Sequence, residues 1–140
     1  MSLYHPERLK DVRQELFDFC VKAAAELPFD FLVVSGVRTD AEQRLLYAQG
    51  RTAPGKVVTH AKSASETAHG RGAAVDLCPL LDGHPDWSDL LRFKLLGELA
   101  ESVGLAWGGR FIGFPDYGHC QISAWRDLPF TPTLHPEATP

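Results

Sequence analysis

The sequence predicts an α+β fold, a small antiparallel sheet with flanking helices and a metal site on the sheet. Three observations lead there. Segments with a helical apolar repeat mix with short strand-type runs, but without the strict βαβ rhythm of a parallel sheet. Two short motifs, each built around a histidine and an aspartate, lie on or beside strand-type runs. Finally, 140 residues at 44% hydrophobic content can fill one core.

Residues 6–27 read as one helix. Leu9, Val12, Leu16, Phe19, Ala23 and Leu27 recur at three- and four-residue steps, Pro6 suits the first turn and Pro28 stops it. Phe31-Leu32-Val33-Val34-Ser35 is a continuous apolar run of strand type. Thr39 and Glu42 form a capping box that opens a second helix carrying Leu45, Leu46 and Ala48 and closing at Gly50. Residues 51–66 have no period and contain Pro54 and Gly55, which makes them a long loop of the kind that often carries function.

Ala73 to Leu77 is a strand ended by Pro79, and Leu81 to Pro85 is a turn-rich connection. Asp86-Trp87-Ser88-Asp89 is a second capping pattern, opening a helix on which Leu91, Leu95, Leu99 and Val103 stack and which Gly104 caps. Leu105-Ala106-Trp107 and His119 to Ser123 are two more strands, joined through Gly108, Gly109 and Gly113. A single domain is expected over residues 1–127. The stretch 128–140 holds Pro129, Pro132, Pro136 and Pro140 and is expected to be an extended or disordered tail.

Composition narrows the function. A net charge of -4 leaves no basic footprint for nucleic acid. No run of 18 apolar residues exists to span a membrane, and Met1 to Pro6 carries no signal-peptide core. The three cysteines, Cys20, Cys78 and Cys120, are an odd count without paired spacing, so a disulfide framework is not expected. Cys120 neighbours His119, but strand alternation aims it to the other face, which argues against a thiolate ligand.

The chemistry lies in Thr67-Ala68-His69-Gly70-Arg71-Gly72-Ala73-Ala74-Val75-Asp76 and in Asp116-Tyr117-Gly118-His119-Cys120-Gln121. A catalytic zinc needs three protein ligands and an open fourth position. His69, Asp76 and His119 can supply the three. On a strand, Val75 and Leu77 face the core while Asp76 faces away, and the glycines at 70 and 72 let the chain fold His69 back toward it. Asp116 is then a surplus carboxylate able to move protons, which points to a hydrolase. Of the other histidines, only His60, in the long loop, is placed to approach a substrate.

These motifs, with Ser35-Gly36-Val37-Arg38-Thr39, Gln43, Leu46-Tyr47-Ala48-Gln49-Gly50-Arg51-Thr52 and Trp107-Gly108-Gly109, make the chain resemble the M15 zinc peptidases. Within that family it is similar to the L-alanyl-D-glutamate endopeptidases of phage endolysins and bacterial walls, over about Pro28 to Gln121. The resemblance implies the fold of the D-Ala-D-Ala peptidases and one zinc ion held by His69, Asp76 and His119. It implies Asp116 as the general acid/base and Arg38 as the cation facing the substrate carbonyl and its oxyanion. Against that, Arg38 has a possible ion pair with Asp40 or Glu42.

Trp107 is placed on the substrate side of the cleft, with a core position as the alternative. Gln43 is placed there too, as a buttress before a direct contact. Thr67 stands where the family usually has serine, and Cys120 where an aromatic residue commonly follows the last histidine. The expected substrate is the stem peptide of bacterial peptidoglycan, cut between L-Ala and D-Glu by a monomer made in the cytoplasm and released to the wall by a phage-type route, although the lack of a signal-peptide core fits a cytoplasmic recycling enzyme equally. The rival expectations are a D-Ala-D-Ala carboxypeptidase or dipeptidase and a non-catalytic zinc-containing wall-binding module.

Overall fold

The computed structural model describes residues 3–130. Among these, six strands form one sheet: β1 (Leu3–Tyr4), β2 (Phe31–Ser35), β3 (Ala74–Leu81), β4 (His84–Pro85), β5 (Ala106–Trp107) and β6 (His119–Gln121). Their order is β1-β2-β3-β6-β5, with β4 paired to β3. Every pairing is antiparallel except β1 with β2, a two-residue parallel contact that the sequence reading did not foresee. Three α-helices flank the sheet: α1 (Gln14–Glu26), α2 (Asp40–Ala48) and α3 (Leu90–Ser102).

Strand alternation divides the molecule into a dry side and a chemical side. Val75 and Leu77 of β3, Val33 of β2, Trp107 of β5 and Cys120 of β6 join Leu16, Phe19 and Leu96 from the helices in one core. The intervening residues Asp76, His119 and Gln121 turn the other way. The register sets Asp76 directly opposite His119 across β3 and β6.

The elements depart from expectation in three places. The first helix is broken: Pro6–Leu9 is a 3-10 turn, Lys10 is extended, and Asp11 adopts a left-handed φ of 65° before α1 begins. The break frees the Arg13 amide to donate to the Gly72 carbonyl at 2.8 Å. β3 runs through Pro79, where the proline faces Phe31 and its carbonyl accepts from the Asp86 amide. Beyond it, Asp82 and Gly83 both take left-handed φ, 52° and 79°, so the turn-rich connection is a two-residue hairpin into β4. On α3, the buried face is Phe93, Leu96, Gly97 and Ala100, while Leu91, Leu95 and Val103 are exposed. Gly97 lets that face close on β5, since a Cβ there would sit 2.1 Å from the Trp107 ring. Its N-cap is Asp89, which accepts from the Arg92 amide, while Asp86 turns to Ser88.

Two arginines fasten the chain's two halves beside the site. Arg71 donates to the carbonyls of Ser65, Arg126 and Leu128. Arg13 donates to the carbonyls of Arg71 and Pro129, at 3.0 and 2.8 Å. Residues 128–130 therefore belong to the fold in part; the remainder of the expected tail, 131–140, lies outside the described residues. No helix among the described residues is long and apolar enough to cross a membrane.

Candidate metal centre and active site

His69, Asp76 and His119 converge, with their donor atoms all within 4.8 Å of one another. Each comes from a different local device. His69 opens a 3-10 turn, His69–Arg71, closed by Gly72 at a φ of 68°. Asp76 stands on the wet face of β3. His119 begins β6, after a loop packed so closely that a Cβ on Gly108 would lie 2.3 Å from the Asp116 carbonyl.

The hydrogen bonds decide what this cluster can hold. His69 Nδ1–H donates to the Gly36 carbonyl at 2.9 Å, an oxygen that can only accept. Its Nε2 therefore points a lone pair at Asp76 Oδ2, 3.1 Å away. His119 Nε2–H donates to Gln121 Oε1 at 2.8 Å, leaving Nδ1 2.9 Å from Asp76 Oδ1. Two lone pairs aimed at one carboxylate repel unless a cation lies between them, either protons or a metal ion. Ligands held about 2.1 Å from a tetrahedral zinc stand roughly 3.4 Å apart, close to these separations. The outer partners, a backbone carbonyl and an amide oxygen, are the kind that orient metal-bound imidazoles. The donor set fits a zinc ion.

Electrostatics agree with the geometry. Burial alone would raise the Asp76 carboxyl, but with protons in place of a metal ion between it and the rings, the charge of His69 and hydrogen bonds from both imidazoles carry it far below the ordinary carboxylate range. His119 moves up: burial opposes its charge, and the hydrogen bond to Asp76 with that residue's charge outweighs burial. The cysteines lie apart from this chemistry. All three are buried and free, and burial pushes Cys20 up to about 12 and Cys78 up to about 11. Cys120 faces the core, as alternation predicts.

Arg38, Asp116 and the three ligand residues line one cleft of about 320 Å³, together with Leu46, Val58 and Thr59. Asp116 stands on the exposed rim, and its carboxyl is raised first by desolvation and then by the nearby charge of Asp76. Of the two acids weighed as partners of Arg38, Asp40 bonds Arg44 and Glu42 completes the Thr39 capping box. Arg38 Nη1 donates to Gln43 Oε1 at 2.9 Å, and the Arg38 amide donates to the His69 carbonyl.

Gln43 and Trp107 lie in the interior. Gln43 is fully buried behind the cleft; its Nε2 donates to Thr59 Oγ1 and to the Ala61 carbonyl. It joins Arg38 to the long loop. Trp107 is a core residue whose Nε1–H donates to the Tyr117 carbonyl at 2.8 Å. It steadies the loop between Asp116 and His119 from below. The reading missed Gln121 and the Gly36 carbonyl as partners of the imidazoles. Gln121 carried a signal, two residues from His119 on one strand face; a backbone carbonyl carries none.

Comparison with known proteins places this geometry. Residues 1–117 match the family model described as phage L-alanyl-D-glutamate peptidase. The chain is 33% identical over 129 residues to the peptidoglycan L-alanyl-D-glutamate endopeptidase CwlK of Bacillus subtilis, covering 84% of this chain and 75% of that one. It is 31% identical over 98 residues to the L-alanyl-D-glutamate peptidase of Escherichia phage T5, covering 70% of this chain and 66% of that one. Among solved structures, the L-Ala D-Glu endopeptidase ChiX of Serratia marcescens shares the fold, with a TM-score of 0.68 at 23% identity over 84% of each chain.

Proposed function

This chain belongs to the phage L-alanyl-D-glutamate peptidase family, and on that premise we propose that it is a zinc endopeptidase cutting the L-Ala–D-Glu bond of the peptidoglycan stem. The observation that carries the reading is the meeting of Arg38 and Asp116 with the His69–Asp76–His119 cluster in one cleft. A structural metal site needs neither the surplus acid nor the cation.

His69, Asp76 and His119 would hold the metal. Zinc bound there supplies a Lewis acid that makes water nucleophilic near neutral pH. Asp116 takes the proton from the attacking water and returns it to the departing amine of D-Glu. A carboxyl whose surroundings raise its proton affinity suits that exchange. Arg38, with one guanidinium nitrogen pinned by Gln43, presents a fixed charge to the carbonyl oxygen as it becomes an oxyanion. Every group needed comes from one chain, which supports a working monomer, and the expected release to the wall by a phage-type route fits the phage relative.

The test is mass spectrometry of fragments released from purified peptidoglycan by zinc-loaded protein, with Asp116→Ala alongside. New N-terminal D-Glu ends from the wild type alone are expected. Loss of terminal D-Ala would instead make it a carboxypeptidase, and no release from several wall types would leave a non-catalytic module.

A further inference from the structure

A second cavity, of about 480 Å³, opens beside the metal cleft and shares Val58 and Thr59 with it. Its other walls are Val57, His60 and Phe114. Phe114 is 89% exposed, and Val57 and Val58 are about half exposed, an unusual amount of apolar surface to leave open next to a catalytic site.

This exposure does not come from a slack loop. The 51–63 segment is tied from behind by Arg51 to the Tyr47 and Thr59 carbonyls, by Gln49 to the Lys56 carbonyl, and by the buried Gln43 to Thr59 and Ala61. Arg51 also lies over the Tyr47 ring at 3.8 Å. The backbone is anchored while Val57 and Val58 stay about half exposed and line the cavity together with Phe114.

Charge says which part of a substrate belongs there. On one side of an L-Ala–D-Glu bond the stem carries the free α-carboxylate of D-Glu and, beyond it, a charged diamino acid. On the other side are the L-Ala methyl, the lactyl ether and the pyranose ring of muramic acid, all uncharged. The two cavities differ in the same sense. Arg38, Asp76 and Asp116 give the metal cleft a charged lining, to which a bound divalent ion would add, whereas no Arg, Lys, Asp or Glu lines the second cavity. Resting on the endopeptidase reading, we infer that Val57, Val58 and Phe114 form the subsite for the muramyl side of the scissile bond. The apolar face of the sugar and its lactyl methyl pack on the aromatic ring and the two valines, while His60 and Thr59 meet its hydroxyl or acetamido groups. The enzyme would thus favour stems still attached to glycan over free peptides.

The test compares kcat/KM on an N-acetylmuramyl stem peptide and on the same peptide without sugar, for wild type, Phe114→Ala and Ile112→Ala. Ile112 is fully exposed on the same loop and lines neither cavity. The wild type should prefer the muramyl substrate, and Phe114→Ala should reduce that preference roughly tenfold, with Ile112→Ala leaving the ratio in place. Equal rates on the two substrates in the wild type, an unchanged ratio in Phe114→Ala, or the same loss in Ile112→Ala would each overturn the inference while the endopeptidase stands. Failure of the wild type to cut either substrate at L-Ala–D-Glu overturns the endopeptidase reading, and this inference with it.

Discussion

Asp76 gives one carboxylate oxygen to each of two imidazoles, and this makes the metal-free protein sensitive to pH in a definite direction. Its folded pKa lies below the unfolded value of about 3.9, so its contribution to stability is complete above that value and lost only as pH falls through the lower folded one. His119 is shifted the other way. Its contribution is complete below the unfolded value of about 6.5 and lost as pH rises through the folded value. Metal-free protein should therefore melt at a lower temperature above neutrality than at pH 5 to 6. A zinc ion replaces the proton between Nδ1 and the carboxylate, so zinc-loaded protein should not show that fall. Melting curves across pH in chelator and in zinc read both arms; identical profiles would argue against this site as the place of binding.

Single substitutions separate holding the metal from using it. Asp116→Ala should keep one zinc per chain and lose about 10²- to 10⁴-fold in kcat, the usual worth of a positioned proton carrier. His69→Ala and His119→Ala should lose metal and activity together. Stoichiometric zinc by elemental analysis in either histidine variant would remove that residue from the ligand set. At this scale the sequence was informative. His69, Asp76, His119, Asp116 and Arg38 all reach the cleft, because side-chain chemistry and local spacing are written in the motif itself. For Gln43 and Trp107 the sequence left buttress or core against substrate contact open, since burial depends on what packs in front; both are buried.

Among the elements, α2 has the clearest link from local code to site. Its capping box is formed as the Thr39–Glu42 pair predicts, and it aims the next turn so that Gln43 points inward. Gln43 then spends its amide on Arg38, Thr59 and Ala61. Gln43→Leu should cost about 1–3 kcal/mol by leaving those partners unsatisfied, visible in urea unfolding. It should also lower kcat/KM with zinc content unchanged, because Arg38 loses the group that fixes it. A normal kcat/KM in a destabilised variant would show Gln43 to be structural only.

Where the sequence misled, the cause was a local rule overtaken by a contact. The apolar period through residues 6–27 is real, yet Asp11 breaks it so that Arg13 can reach Gly72 and Pro129. The leucine stack on α3 is real too, but the face that packs is the one with room for Trp107. Asp82-Gly83 was a legible hairpin signal, hidden behind a proline expected to end the strand.

For the whole molecule, what no local pattern could supply was the meeting of the two motifs. It depends on β6 pairing with β3 in the register that sets His119 opposite Asp76, across a gap of more than forty residues in the chain. Metal binding should pull on that pairing. At free zinc a thousand times its Kd, the folded state gains about 4 kcal/mol, and protection of β3 and β6 amides in hydrogen exchange should rise with it. Zinc that leaves those amides unchanged would place the ion elsewhere.

The arginine fastening gives the fold an order in time. His69 and Asp76 leave the ribosome well before His119, and the carbonyls of Arg126, Leu128 and Pro129 that lock Arg71 and Arg13 come later still. A nascent chain that has made only the first motif has two of three ligands and an unfastened turn beside them. The metal site is therefore complete only once residues 119–129 have joined the fold, and a product truncated before His119 would lack the third ligand and should neither hold the ion nor cut the wall of the cell that makes it.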